Sequence, residues 1–215
     1  MVHIAPSILA ADFANLGAAI AQVETTADSL HVDVMDGHFV PNLSIGPPVV
    51  ASLREATQLP LDCHLMMTNP GEYFEAFAKA GATSCTVHVE IGDTAALINA
   101  MRDHGLGAGL AVNPDGDYGM VRPFVADIDL LLCMSVFPGF GGQSFIAGAL
   151  DTVRAARADV AARGLTTSIQ IDGGIDASTI GSAAAAGADN FVAGTAVFRQ
   201  PDPAAAIAEL RAAAS

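Results

Sequence analysis

The sequence predicts one α/β domain with the architecture of a closed (β/α)8 barrel, also called a TIM barrel. Strand-like and helix-like segments alternate along all 215 residues, and no linker or low-complexity break divides them. There are eight such strand–helix pairs, and the length of the chain is close to the roughly 250 residues typical of this barrel. Polar residues repeatedly follow the predicted strands, which favours the barrel over an open doubly wound sheet. We therefore expect residues 1–215 to form a single barrel domain.

The predicted strands are short apolar runs, and several of them alternate with a period of two. In the second strand, His31, Asp33 and Met35 share one face, while Val32 and Val34 share the other. The third strand repeats this arrangement and again carries polar side chains on one face. The eight predicted strands span residues 2–9, 30–35, 61–67, 83–89, 107–112, 130–136, 167–172 and 190–194.

Each predicted strand is followed by a segment with helical character, and several helices carry signals at their ends. Asp12 is placed to begin the first helix, and Gly81 and Gly187 lie where two later helices end. Because polar and glycine-rich stretches follow the strands, we expect the functional loops at the carboxyl ends of the strands. The eight predicted helices span residues 13–27, 47–57, 71–80, 94–104, 118–125, 147–163, 177–186 and 203–213.

The charge balance of the chain excludes two classes of partner. The net charge is −14, and Lys79 is the single lysine. Because nucleic acids and anionic membranes bind basic surfaces, this balance argues strongly against either of them. The single lysine also removes most Schiff-base chemistry from consideration. We expect Lys79 itself to stabilise the end of its helix.

We expect neither a transmembrane helix nor a signal peptide in this sequence. Its apolar runs are only as long as strands, and residues 1–4 lack the basic start and apolar run of a signal peptide. Cys63, Cys85 and Cys133 are odd in number, and each lies inside a predicted strand. Their spacing fits neither a disulfide framework nor a zinc ribbon, so we interpret them as reduced core thiols of a cytoplasmic protein.

The loops after the last three predicted strands are rich in glycine. Glycine lets backbone N–H groups approach an anion closely, and loops 7 and 8 are the usual phosphate site of this barrel. One glycine pair would be an ordinary turn, but three clusters on consecutive loops indicate a phosphate site. No Gly–Lys–Ser/Thr follows them, which excludes a nucleotide P-loop. The clusters contain Gly139, Phe140, Gly141 and Gly142, then Gly173 and Gly174, and finally Gly194 and Thr195.

Six segments, in this order, resemble the ribulose-phosphate 3-epimerase family along the whole chain. They are APSILAADF at 5–13, the block 31–47, DCHLM at 62–66, MSVFPGFGGQ at 134–143, IDGGI at 171–175 and AGTAVF at 193–198. The resemblance implies a barrel of the ribulose-phosphate-binding type. It also implies an isomerase of the pentose phosphate pathway that inverts the third carbon of ribulose 5-phosphate to give xylulose 5-phosphate. Because related enzymes form dimers or hexamers, a homo-oligomer is expected.

The same resemblance implies that His31, Asp33, His64 and Asp172 bind one divalent metal ion, and that Asp33 and Asp172 also act as acid and base. The predicted topology supports this independently, because strands 2 and 7 of an eight-stranded barrel can face each other across its mouth. Inverting a carbon beside a ketone needs a base on one side and an acid on the other. The mixed nitrogen and oxygen donors suit Zn²⁺, Fe²⁺, Mn²⁺ or Co²⁺. The alternative is a buried ionic cluster that holds the strands together.

The resemblance also places residues from the strand ends and the glycine loops against the substrate. Ser7 is expected to contact a substrate hydroxyl, although it could simply start the first turn. Three methionines are expected to line the mouth, either as ordinary packing or as a polarisable wall beside the intermediate. Apart from the resemblance, His88 and Glu90 lie on one strand face near the mouth, and we expect them to support the ligands from behind. The predicted substrate-binding set is Ser7, Met35, His64, Met66, Met134, Gly139, Phe140, Gly141, Gly142, Asp172, Gly173, Gly174, Gly194 and Thr195.

Three alternative functions stay open at this point. An epimerase acting on allulose 6-phosphate would use the same chemistry in a pocket of different depth. A phosphosugar aldo-lyase or decarboxylase of this fold relies on an Asp-x-Lys-x-x-Asp arrangement, whereas the segment 62–64 reads Asp–Cys–His. A non-catalytic sugar-phosphate binder would carry a complete proton-transfer pair without using it. Two departures from the family pattern stand near the mouth, since Thr195 replaces the usual serine and Phe137 a common polar residue.

Overall fold

Eight parallel strands form the centre of the computed structural model, which describes residues 2–215. The strands are β1 His3–Pro6, β2 Leu30–Met35, β3 Leu61–Met66, β4 Ser84–His88, β5 Gly107–Val112, β6 Leu130–Met134, β7 Ser168–Asp172 and β8 Asn190–Ala193. Along the sheet their order is β1-β8-β7-β6-β5-β4-β3-β2. A parallel bridge between Ser7 and His31 joins the two outer strands and completes the ring. The predicted TIM barrel is confirmed, and every predicted strand overlaps an observed one.

Helices surround the strands on the outside of the barrel. Seven of the eight predicted helices overlap an observed α-helix, and a further short helix follows β8 where none was predicted. Within residues 2–215, none of these helices has the length and apolar character needed to cross a bilayer. The helices are α1 Leu16–Ala21, α2 Pro47–Ala56, α3 Phe74–Ala80, α4 Thr94–Asp103, α5 Ala149–Ala162, α6 Ile180–Ala186, α7 Thr195–Phe198 and α8 Pro203–Ala213.

The predicted helix over residues 118–125 is wrong. The segment is a 3₁₀ turn over Tyr118–Met120, followed by irregular turns. Asp117 begins this turn by accepting a hydrogen bond from the Gly119 N–H at 2.6 Å, and Pro123 lacks the N–H that a continuing α-helix would need. The first predicted helix is also too long, because a 3₁₀ turn over Phe13–Asn15 precedes α1.

Strands β2 and β3 are buried along their whole length, because barrel strands pack against side chains inside and helices outside. Val32 and Val34 belong to the main hydrophobic core between the strands and the helices. His31 and Asp33 occupy the alternate positions and therefore face the barrel interior. The register pairs Asp33 with His64, which sets the polar side chains of the two strands next to each other.

The three cysteines behave as predicted. Cys63, Cys85 and Cys133 are all free and buried. Burial raises the pKa of Cys133 to about 12, so its reactive thiolate form is scarce at neutral pH.

Candidate active site

A cavity of about 420 Å³ lies at the carboxyl ends of the strands, where this fold places its active sites. The loops after β6, β7 and β8 form much of its wall, and no lysine or arginine of residues 2–215 lines it. Two predicted site residues, His31 and His64, lie behind this wall and are fully buried. The predicted residues that line the cavity are Ser7, Asp33, Met35, Met66, Met134, Gly139, Phe140, Gly141, Gly142, Asp172, Gly173, Gly174, Gly194 and Thr195.

Four side chains from three strands converge beside the cavity: His31, Asp33, His64 and Asp172. Each offers one atom to a common centre, and these atoms all lie within 4.8 Å of one another. The Oδ1 of Asp33 lies 3.5 Å from His31 Nε2 and 3.3 Å from His64 Nδ1. The distance from His31 Nε2 to Asp172 Oδ2 is 3.9 Å. The group could therefore hold a metal ion.

The two histidine nitrogens that face this centre have no hydrogen-bond partner among residues 2–215. They are His31 Nε2 and His64 Nδ1, and both are buried. A buried polar atom without a partner is costly, so a pair of them at one point needs an explanation. The carboxylate oxygens of Asp33 and Asp172 beside them are negatively charged or hydrogen-bond acceptors. A cation can interact favourably with these two oxygens and with both histidine nitrogens. The donor set therefore fits the divalent metal ion that the sequence resemblance implies.

Asp62 holds His31 from behind. Its Oδ2 lies 3.3 Å from His31 Nδ1, and its Oδ1 accepts a hydrogen bond from Ser84 Oγ at 2.8 Å. Burial raises the pKa of Asp62, but hydrogen bonds from His31 and Ser84 outweigh burial and lower it. The ionised carboxylate accepts the Nδ1–H and so turns His31 Nε2 toward the centre. Sequence reasoning gave Asp62 no role, although its position two before His64 places it on the same inward face.

The electrostatics of the cluster favour positive charge at its centre. Burial lowers the pKa of His31, yet the carboxylates of Asp33 and Asp62 outweigh burial and raise it well above the usual value. Burial raises the pKa of Asp33, but the two neighbouring histidines outweigh burial and lower the pKa below its usual value. Asp33 therefore stays ionised. Burial and the charge of Asp33 together raise the pKa of Asp172. Burial lowers the pKa of His64 to about 4, so this ring is neutral at pH 7.

Asp33 is fixed in place by two serines. Ser7 Oγ donates a hydrogen bond to Asp33 Oδ2 at 2.6 Å, which leaves Oδ1 directed at the histidines. Ser44, which sequence reasoning missed, donates to the backbone carbonyl of Asp33 at 2.6 Å. Ser7 also lines the cavity, and its contact with a substrate hydroxyl stays a prediction.

Two further amides that sequence reasoning missed shape the loop after β6. Gln143 Nε2 donates to the carbonyls of Phe137 and Phe140, at 2.7 and 2.9 Å. Asn42, in the loop after β2, donates from Nδ2 to the carbonyl of Gly139 at 2.7 Å. These bonds hold the glycine-rich loop in a defined shape beside the cavity. Both amides lie inside segments noted above for their family resemblance, 31–47 and 134–143, but neither received a role from the sequence.

Comparison with known proteins identifies the family. The sequence model of the ribulose-phosphate 3 epimerase family matches residues 3–198. The chain belongs to this family. A ribulose-phosphate 3-epimerase of Mycobacterium leprae is 52% identical over 209 residues, which cover 97% of this chain and 93% of that protein. Another, from Bacillus subtilis, is 44% identical over 214 residues, which cover 98% of this chain and 99% of that protein.

Membership of the epimerase family makes this chain an isomerase that acts on a sugar phosphate. Solved structures of other proteins support the fold. The crystal structure of KGPDC from Streptococcus mutans superimposes with a TM-score of 0.74 and covers 100% of this chain and 97% of that one. At 14% identity, this likeness shows the barrel architecture and carries nothing about the reaction.

Proposed function

We propose that the protein interconverts ribulose 5-phosphate and xylulose 5-phosphate, with Asp33 and Asp172 as its two proton-transfer groups. One observation carries the proposal: both carboxylates reach the same cavity, beside two buried histidine nitrogens that lack a hydrogen-bond partner in the described part of the chain. The substrate assignment is supported by relatives of the same name that match nearly end to end.

In the proposed reaction, one aspartate removes the proton from the third carbon and the other delivers a proton from the opposite side. The electron pair of the broken C–H bond moves to the neighbouring carbonyl, which gives an enediolate. Such a pair needs a single shared proton at the start, so that a base and an acid are ready together. After one turnover the proton has changed residues, and the pair is set for the reverse reaction.

The divalent metal ion would be held by His31, Asp33, His64 and Asp172. When bound, it supplies positive charge that stabilises the negative oxygens of the enediolate. The donor set is compatible with Zn²⁺, Fe²⁺, Mn²⁺ or Co²⁺. The chain's own part is to keep two imidazole nitrogens and two carboxylates aimed at one point.

The substrate phosphate would be held by backbone N–H groups, because no basic side chain of residues 2–215 lines the cavity. Gly142 and Gly174 have φ angles of +75° and +62°, which L-amino acids rarely adopt. Open space surrounds Gly142 where a side chain would stand, so an anion can approach its backbone. Gly194 and Thr195 offer a third loop on the same cavity wall. Thr195 keeps the hydroxyl of the serine that is usual in the family.

The test follows the hydrogen on the third carbon. Asp33→Asn and Asp172→Asn each keep an oxygen for the metal and remove one base. Each should slow epimerisation by about 10²–10⁴-fold, the range for losing a general acid–base group. In deuterated solvent, the remaining aspartate should still exchange the third-carbon hydrogen of one epimer. The two variants should therefore exchange different epimers, one ribulose 5-phosphate and the other xylulose 5-phosphate.

Metal content must be measured in both variants, since lost metal alone would stop exchange. Asp151→Asn is the matched control. The Asp151 side chain is 83% exposed on the surface, so the same chemical change there leaves the cavity untouched. If both metal-loaded variants exchange the same epimer, the two-base mechanism is wrong. Rates on allulose 6-phosphate, measured in parallel, decide between pentose and hexose phosphate. Faster turnover of the hexose would overturn the substrate assignment and leave the mechanism intact.

A further inference from the structure

A chain of hydrogen bonds leads away from His64 through the ends of β4 and β5. His64 Nε2 lies 2.8 Å from His88 Nε2. His88 Nδ1 lies 3.3 Å from Glu90 Oε2. The other oxygen of Glu90 accepts a hydrogen bond from the backbone N–H of Asn113 at 2.7 Å. We call His88 and Glu90 together the relay. The relay connects His64, a proposed metal ligand on β3, to the backbone of Asn113 just after β5.

The chemistry of these groups fixes the direction of each hydrogen bond. The Glu90 carboxylate accepts, so the hydrogen between Glu90 and His88 is on His88 Nδ1. When His88 is a neutral imidazole, only one of its nitrogens carries hydrogen, and His88 Nε2 then accepts from His64 Nε2–H. His64 in turn has a lone pair on Nδ1, which is the atom that faces Asp33. The reverse order would set a lone pair of His88 against a carboxylate oxygen.

Packing keeps the relay from reorienting. The rings of His64 and His88 have centroids 5.0 Å apart and planes inclined by 25°. Phe39, from the loop after β2, covers His88 with a centroid distance of 4.7 Å. His64 is fully buried and His88 is 1% exposed, so neither ring can turn to water for another partner.

We propose that His88 and Glu90 are positioning residues that lock His64 in the tautomer whose free Nδ1 completes the metal site. Neither residue touches the substrate or the reacting atoms in this proposal. They play for His64 the part that Asp62 plays for His31, and each ligand histidine therefore has its own support. The inference rests on the proposed metal-dependent function, because it assumes that His64 is a ligand. The competing account is a buried polar pair that only joins β3 to β4.

Metal affinity separates the two accounts. His88→Leu removes the acceptor for His64 Nε2–H, and Glu90→Ala removes the acceptor that orients His88. Both should weaken binding of Zn²⁺ or Mn²⁺ by about 10–100-fold, the usual effect of losing such outer partners. His88→Gln places an amide oxygen near the position of Nε2 and should restore affinity to within a few-fold of the original. The readout is the dissociation constant from titration against a competing chelator, with no substrate present.

Tyr118→Phe is the matched control, since it removes a 2.8 Å hydrogen bond to Asp159 that involves neither the ligand cluster nor the relay. It should change thermal stability without changing metal affinity. If the His88–Glu90 pair were purely structural, all the relay variants would behave like Tyr118→Phe, with changed thermal stability and unchanged metal affinity. That result would overturn the proposal. If His88→Leu does not fold, Glu90→Ala and His88→Gln still give the comparison. If the unaltered protein binds no divalent metal, the proposed metal-dependent function fails first and the relay with it.

A second measurement reads the tautomer directly. In the zinc-loaded protein, ¹⁵N shifts of the His88 ring should show hydrogen on Nδ1 and none on Nε2. The same ring in Glu90→Ala should lose this preference. Hydrogen on His88 Nε2 in the unaltered protein would contradict the proposed direction of the relay, whatever the metal affinity.

Discussion

Gly173 follows Asp172 directly, and replacing it by alanine should disturb the fold and the site together. Its φ is +120°, a conformation that L-amino acids rarely adopt. An alanine Cβ would stand 2.7 Å from the backbone nitrogen of Val136 and 2.6 Å from that residue's side chain. A backbone atom cannot rotate away as a flexible side chain can. The carbonyl of Gly173 also accepts a 2.7 Å hydrogen bond from Ser135 Oγ, so any shift pulls on the end of β7.

Two costs add at this position. The backbone conformation contributes about 1–3 kcal/mol, and overpacking against Val136 contributes about 1–3 kcal/mol more. Gly142 offers the matched comparison, because its φ is +75° and no atom of residues 2–215 lies within 4 Å of its Cβ position. Gly142→Ala should therefore cost only the conformational part, about 1–2 kcal/mol. For a chain of this size, 1 kcal/mol lowers the melting temperature by about 2–4 °C.

The assay is thermal unfolding of Gly173→Ala and Gly142→Ala under the same metal concentration, followed by steady-state kinetics. Gly173→Ala should melt roughly 2–12 °C below Gly142→Ala, which corresponds to the overpacking part alone. Its kcat should fall as well, since Asp172 moves with the strained peptide. Equal melting temperatures for the two variants would refute the reasoning, because the close approach to Val136 would then carry no cost.

Three other outcomes are expected. A strong chelator should inactivate the enzyme, and Mn²⁺, Co²⁺, Fe²⁺ or Zn²⁺ should restore it; full activity of protein shown by elemental analysis to be metal-free would contradict the metal assignment. Burial raises the pKa of Asp36, but hydrogen bonds from Thr68 and His38 outweigh burial and lower it. Its carboxylate therefore contributes stability above the ordinary pKa of 3.8 that is lost as pH falls through the lower folded value. The melting temperature of Asp36→Asn should accordingly drop less between pH 5 and pH 3 than that of the unaltered protein, and parallel curves would argue against this. Asn42→Ala should speed proteolysis of the loop after β6 because Gly139 loses its 2.7 Å hydrogen bond, whereas an unchanged cleavage rate would show that the loop is held by other contacts.

Local patterns predicted the strands and the faces of the polar side chains, whereas the set of four candidate ligands was implied by the family resemblance. The alternation in β2 places His31 and Asp33 on one face, and the register with β3 does bring Asp33 beside His64. Strand periodicity survives in the fold because each barrel strand has one inward and one outward environment. Asp172 could be placed for the same reason, as the last residue of an apolar run before a glycine pair.

The spacing of apolar residues predicted the helices less well than the strands, because single glycine and proline residues can stop a helix. The segment after β5 contains apolar residues at helical spacing, yet Gly119 and Pro123 keep it from continuing beyond Tyr118–Met120. The short helix Thr195–Phe198 was missed because four residues are too few to show a period.

The supporting contacts of the site lay beyond sequence reasoning for a different reason. Asn42 and Gly139 are 97 positions apart, and His64 and His88 are 24 apart. Asn42 meets Gly139 only because the barrel closes, whereas His88 meets His64 because β4 and β3 are neighbouring strands. A supporting role could be expected for His88, but no short-range pattern marks the residue that it contacts. Asp62 is an intermediate case, since its face could be predicted but not its contact with His31.

The register between β2 and β3 also links the metal to the fidelity of folding. Sliding one strand past the other by a single residue would turn His64 toward the helices and bring Cys63 or Leu65 inward. A misaligned barrel of this kind could still bury much of its apolar surface, but it would have no ligand cluster. An ion that recognises only the correctly paired strands favours them by RT ln(1 + [M]/Kd), about 2.7 kcal/mol at a hundredfold excess over Kd. A bound ion would therefore favour the correctly aligned strands over misaligned ones.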